Sequence, residues 1–147
     1  MAKSKVSGIS SLRKSLSNRL PRQIAKAVFA KKDQIEGEIV ATIIDGKSPV
    51  KGKTFPNYSP KYAKIKGKIR PVDLFQTGEL LRSIETRIGN GFSVIIRFKS
   101  KIAKFHDKLG AGKSKVIRRM LPDPSKGESF RSNIAKVIRR AISKGIK

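Results

Sequence analysis

Three groups of residues have types and spacings that suggest chemistry. Gly110-Ala111-Gly112-Lys113-Ser114 looks like the end of a phosphate-binding loop, where backbone N–H groups cradle phosphate and a lysine meets its charge. The full pattern needs a glycine five residues before Gly112, and Asp107 stands there. It also needs a buried strand before the loop and a helix after it, whereas here the pattern predicts a helix before and a β-like run after. The string therefore reads as a basic flexible loop. His106-Asp107 sets a base beside an acid, but neighbours on a helix point in different directions. With no serine motif or carboxylate cluster nearby, His106 reads as structural. Asp33, Glu36 and Glu38 share a helix, yet Glu36 and Glu38 face apart and balance nearby lysines rather than gather a metal. The expectation is a non-enzyme without a cofactor or metal site.

Composition narrows the chemistry further. There is no cysteine, which excludes disulfides, iron–sulfur clusters and thiolate zinc sites, and one histidine excludes any site built on two imidazoles. The 147 residues fit one domain. No run approaches the ~20 apolar residues of a membrane span, and the N-terminus lacks the apolar centre of a signal peptide; no membrane partner is expected. Thirty-five Lys and Arg against ten Asp and Glu leave a net charge of +25. The excess lies at the ends. Residues 1–32 hold nine basic and no acidic side chains, residues 33–96 ten and seven, and residues 97–147 sixteen and three. Such ends call for an anionic partner. Arg118, Arg119, Lys136, Arg139, Arg140 and Lys144 are the candidate contacts. No zinc finger, aromatic RNA-binding strand or helix-turn-helix pattern accompanies them, so contact would be nonspecific, with nucleic acid or with acidic protein.

The elements that must carry these groups follow from periodicity. Residues 1–17, rich in Ser and Lys, read as a basic flexible arm with at most a short helix, and residues 18–147 as a single α+β domain. Asn18 as N-cap and Pro21 in the first turn predict one long helix. Its apolar stripe is Leu20, Ile24, Val28, Ile35, Ile39 and Ile43, and Asp45-Gly46 ends it. Gly37, inside that run, costs helix stability unless it admits a close neighbour. Pro49, Gly52, Pro56, Pro60, Gly67 and Pro71 mark a long irregular loop with one helical turn at 60–66. Phe55, Tyr58 and Tyr62 in that loop suit docking on this domain or on a partner. A short helix at 78–83 capped by Thr77 leads into a hairpin. Ile84, Thr86 and Ile88 alternate before Gly89-Asn90-Gly91, and Phe92, Val94, Ile96 and Phe98 after it. A helix at 101–108, a third strand at 116–121 and an amphipathic C-terminal helix on Phe130, Ile134, Val137, Ile138, Ala141 and Ile142 complete the pattern. The fold class is α+β: a small antiparallel sheet packed by a long N-terminal and a C-terminal helix.

This succession resembles the neck or tail-completion proteins of tailed bacteriophages, including the virion morphogenesis protein of Mu-like phages. The most specific piece is Leu74-Phe75-Gln76-Thr77-Gly78-Glu79-Leu80-Leu81-Arg82-Ser83-Ile84, similar to the family's L-x-x-T-G-x-L-x-x-S-I. Ile102-Ala103-Lys104-Phe105-His106-Asp107-Lys108-Leu109-Gly110 resembles its Y-A-x-x-H-x-x-G, with Ile102 in place of Tyr and Gly110 one residue further from His106. Arg118-Arg119-Met120-Leu121-Pro122 resembles its P-x-R-x-F-L run. Carried over, the motif residues are Thr77, Gly78, Leu80, Ser83, His106, Gly110, Leu121 and Pro122. The resemblance implies a structural virion protein, made in the host bacterial cytoplasm. It would form a six- or twelve-fold ring at the neck or upper tail, contact portal (connector) and tail proteins, and let double-stranded DNA pass. On this match His106 orients the neighbouring loop and does no chemistry. A nonspecific nucleic-acid-binding protein is the alternative.

Overall fold

A computed structural model of the chain describes residues 4–67, 72–74 and 78–146. Its first helix, α1 (Ser4–Phe29), begins well before the expected start. Asn18 is therefore no N-cap but an exposed interior residue, and Pro21 lies inside the helix. Proline removes one backbone donor and normally weakens a helix interior; here its ring lies on the exposed side. The preceding Ser17 hydroxyl donates to the Lys14 carbonyl at 3.0 Å.

The single long helix expected up to Asp45 is two helices. At Lys31 the backbone turns to φ −105°, ψ 14°, and the Lys31 N–H falls back on the Val28 carbonyl at 3.0 Å. α2 (Lys32–Ile44) restarts with Asp33 in its first turn, where a negative charge complements the helix dipole. The apolar stripe continues across the break, because Val28 and Ile35 stand seven residues apart. Ile35, Ile39 and Ile43 are fully buried. Gly46, at φ 75°, ends α2 as its sequence position suggests, its N–H donating to the Ile43 carbonyl at 2.9 Å.

The irregular segment after Gly46 docks on this domain. Lys47 and Thr54 form an antiparallel bridge that closes a small turn. Val50, Phe55 and Tyr58 then enter the core. α3 (Pro60–Lys66) forms where a helical turn was expected, capped by the Ser59 hydroxyl and ended by Gly67 at φ 72°. Val72 and Leu74 are buried beyond it.

α4 (Glu79–Arg82) starts at Gly78, whose φ is 77°; Thr77, expected to cap it, lies outside the described residues, as do Phe75 and Gln76. Leu80 and Leu81 face the core. The Ser83 hydroxyl closes the helix on the Leu80 carbonyl at 2.7 Å and the chain turns directly into β1 (Ile84–Ile88). The hairpin partner is β2 (Val94–Phe98), in the register Ile84↔Phe98, Thr86↔Ile96, Ile88↔Val94. The turn is longer than Asn-Gly alone implies: a 3₁₀ turn at Asn90–Phe92 takes Phe92 out of the strand and exposes it.

The expected third strand does not form, and among the described residues the sheet has two strands. After α5 (Lys101–Lys104) the helix widens into a π-type turn, Phe105–Leu109. Ala111 and Val116 make one isolated bridge. Beyond it the Arg118, Met120 and Leu121 N–H groups go to His106 and Asp107 instead of to a neighbouring strand, for reasons given below.

α6 (Ser132–Ile146) buries Ile134 and Ala141 and packs chiefly along α1. Its close approach runs through Gly145, where an added Cβ would lie 2.9 Å from Ile24 Cα and 3.0 Å from Ala27 Cβ. Gly37, by contrast, faces open space, so the close neighbour that would justify it is missing. The α+β class stands, with the hairpin packed on α1 and α2 and the core spread among all the helices.

Candidate functional site

Of the residues singled out at 106–122, Asp107 and Arg119 meet in a buried polar cluster. The π-type turn brings Asp107 inward, 7 % exposed. Its Oδ1 accepts the backbone N–H groups of Met120 at 2.6 Å and Leu121 at 3.1 Å. Its Oδ2 accepts from Arg119 Nη1 at 3.1 Å. That same nitrogen donates to the Asp107 carbonyl at 2.8 Å, and Arg119 Nη2 meets Glu128. Glu128 also accepts the Asp123 N–H at 2.9 Å, and the Arg119 carbonyl accepts from the Ser48 hydroxyl at 2.6 Å. One guanidinium thus ties the π-type turn, the 118–121 run and the 123–128 turn together, and its backbone ties in the loop after α2. Burial alone would lower the Arg119 pKa; the hydrogen bond it donates to Glu128, with the charges of Asp107, Glu128 and Asp123, raises it overall. Hydrogen bonding to Arg119 holds Glu128 below the usual carboxylate range.

Arg118 turns the other way. Its Nε and Nη2 donate to the Pro56 carbonyl at 3.3 and 3.1 Å, and Nη2 to the Asn57 carbonyl at 3.0 Å. Its Cζ lies 5.7 Å from the Tyr58 ring centroid. Lys66 Nζ stands 5.9 Å from that same ring and pairs with Asp73 at 3.1 Å, while the Tyr58 hydroxyl donates to Asp73 Oδ1 at 3.1 Å. Burial, then the Asp73 carboxylate, push the Tyr58 phenol up to about 12. Burial lowers Arg118.

Arg118 and Arg119 are therefore 5 % and 8 % exposed and committed to internal acceptors. This corrects their reading as contacts for an anionic partner. It also explains the missing strand: the backbone here follows the carboxylate of Asp107 and the carbonyl of His106, which accepts the Arg118 N–H. His106 orients this loop through that carbonyl, not through its ring. The buried Nδ1 has no hydrogen-bond partner among the described residues, and burial, then the Arg118 charge, lower the imidazole pKa. Since the neighbouring carboxylate serves residues 119–121, no acid–base pair exists at 106–107.

The glycine-rich string is a tight turn. Gly110 sits at φ 85°, and a Cβ there would fall 2.2 Å from the Lys115 carbonyl oxygen, so only glycine fits. The Lys115 N–H donates to the Gly112 carbonyl at 3.1 Å, and no helix follows to offer its N–H groups to phosphate. Leu121 and Pro122 are half-buried behind the clamp. Among the described residues no three His, Asp or Glu side chains group to hold a metal, and no helix is long and apolar enough to cross a membrane.

The remaining candidates share a surface. Lys136, Arg139, Arg140 and Lys144 are all exposed on α6; their spacing sets Lys136, Arg139 and Arg140 on the face away from Ile134, Val137, Ile138 and Ala141, with Lys144 at its edge beside Val137. Arg19, Arg22 and Lys26 are exposed at one side of α1.

The Asp107 clamp, the Tyr58–Asp73 pair and the Gly145 contact escape a reading by periodicity. One signal for the clamp is visible: Asp107 is one of three acids among sixteen bases in residues 97–147, and a lone acid in such a segment invites a cationic partner. No protein-family model matches the chain, and neither curated proteins nor solved structures yield a match.

Proposed function

We propose that the chain is a structural virion protein of a tailed phage. It forms a six- or twelve-fold ring at the neck or upper tail end, between portal and tail proteins, with DNA passing through. The observation that supports this reading most is the segment at 74–84, the most specific of the resemblances. Its described residues do architectural work: Gly78 takes the left-handed start of α4, Leu80 fills the core, and Ser83 closes the helix before β1. Gly110 in the second motif is likewise dictated by geometry. The residues with chemical potential, Asp107, Arg118, Arg119 and Tyr58, are spent on internal bonds, as befits an assembly protein. Head-to-tail contacts that close by rotation would build the ring. Mixing the purified chain with portal protein tests it: closed rings stacked on the portal in negative-stain images are expected, and a lasting monomer that never joins the portal contradicts it.

The cationic face of α6 favours a second reading, nonspecific binding of nucleic acid. Exposed Lys136, Arg139 and Arg140, with Lys144 at the edge of their face, can track phosphates and release counterions, and the binding would weaken steeply with salt.

A further inference from the structure

The helix that turns Asp107 inward leaves two stripes outside. Ile102, Phe105 and Leu109 follow at i, i+3 and i+7, and they are 45 %, 52 % and 51 % exposed. Lys101, Lys104 and Lys108 repeat the same spacing one residue earlier and are exposed as well. The inward side is taken by Ala103, Asp107 and the half-buried His106. A step of one residue is about 100° on a helix, so an apolar stripe and a cationic stripe run side by side. The only acid of the segment is removed from this surface by Arg119 and the 120–121 backbone. The adjoining turn adds exposed Lys113 and Lys115.

We propose that this face docks an acidic amphipathic helix of another protein, with apolar side chains on Ile102, Phe105 and Leu109 and carboxylates on Lys101, Lys104 and Lys108. The charge pattern selects that occupant. A second copy would bring the same lysines against these and add to a chain already at +25. Nucleic acid would meet the lysines but leave two aliphatic side chains facing phosphate. A lipid surface favours cations flanking the apolar face on both sides, where they can snorkel; here they lie on one side only. This surface is distinct from the α6 face and stands or falls apart from both functional readings.

The test uses the full chain and a labelled 20-residue helical peptide bearing Leu at i, i+3 and i+7 of each repeat with Glu one residue away. A scrambled peptide of the same composition, anionic phosphatidylglycerol vesicles and a DNA duplex serve as comparisons. Fluorescence anisotropy should show the patterned peptide bound at least tenfold tighter than its scramble. That preference should be lost in Phe105→Ser/Leu109→Ser and, separately, in Lys104→Glu/Lys108→Glu, both with unchanged circular dichroism. Equal binding of the two peptides overturns the proposal, as does a preference that survives both pairs of substitutions. Binding to vesicles that is lost in the Phe105/Leu109 variant, without a peptide preference, overturns it in favour of lipid. Self-association lost in that variant overturns it in favour of a second copy.

Discussion

Arg119 reaches Asp107 Oδ2 at 3.1 Å from one amino nitrogen while the other meets Glu128, with both Arg119 and Asp107 about nine-tenths buried. Removing one partner of such a pair leaves a buried charge uncompensated, which costs about 3–5 kcal/mol. In Asp107→Asn the amide nitrogen would face the Arg119 Nη1 donor while Glu128 still balances the guanidinium, so the urea midpoint should fall by an amount worth about 2–3 kcal/mol. Ser48→Ala, which removes the hydroxyl donated to the Arg119 carbonyl and the acceptor of the Val50 and Lys51 N–H groups, should cost about 1–3 kcal/mol. Equal midpoints for Asp107→Asn and the parent would remove the clamp from the account.

Acid should weaken the protein through two groups. Burial favours neutral His106, so its folded pKa lies below the ordinary 6.5. The stability tied to that neutral ring is complete above 6.5 and is lost as pH falls below it. Glu128, held below its ordinary 4.5 by Arg119, adds a second loss as pH falls through its folded value. Thermal melts between pH 7 and 5 should show a decline that His106→Asn flattens.

Alkali acts through Tyr58. Its folded pKa of about 12 exceeds the ordinary 10.0, so the unfolded chain releases the phenolic proton first. Stability should be intact below pH 10 and fall as pH rises toward 12. Absorbance at the tyrosinate band should show a late step that is missing in Tyr58→Phe.

Two glycines in helices should respond oppositely. Gly37→Ala, with open space around the new methyl, should stabilise by about 0.5–1 kcal/mol. Gly145→Ala should destabilise despite the same gain in propensity, because its methyl meets the α1 backbone at Ile24. Paired denaturation curves check both; matching signs would contradict the packing of α6 on α1.

DNA affinity separates buried from exposed cations. If the α6 face binds phosphates, Arg140→Gln should reduce the slope of log affinity against log salt by about 1. Arg118 faces the Pro56 and Asn57 carbonyls, so Arg118→Gln should leave that slope unchanged while lowering the melting temperature.

The parts of this fold legible in the sequence are those governed by local period. The stripe through Val28, Ile35, Ile39 and Ile43, the existence of the hairpin and the apolar side of α6 all follow from spacing alone. The boundaries at Asn18 and Lys31 do not, because a cap residue permits a helix start without requiring one and a single backbone turn leaves the stripe intact. The strand expected at 116–121 fails for a different reason. Its alternation is real, but the Asp107 carboxylate takes the Met120 and Leu121 N–H groups, thirteen and fourteen residues on, and only tertiary structure brings them together. Long-range meetings also turn Arg118 and Arg119 from surface cations into internal ties, while Lys136, Arg139, Arg140 and Lys144, singled out from the cationic excess, are exposed on α6.

The most direct test of the ring proposal is electron microscopy of tailed-phage particles assembled with this chain carrying a small epitope and labelled with gold-conjugated antibody. Gold at the head–tail junction or the upper end of the tail, with six- or twelve-fold density there, is the predicted result. Particles that assemble fully and never carry label at neck or tail would contradict it.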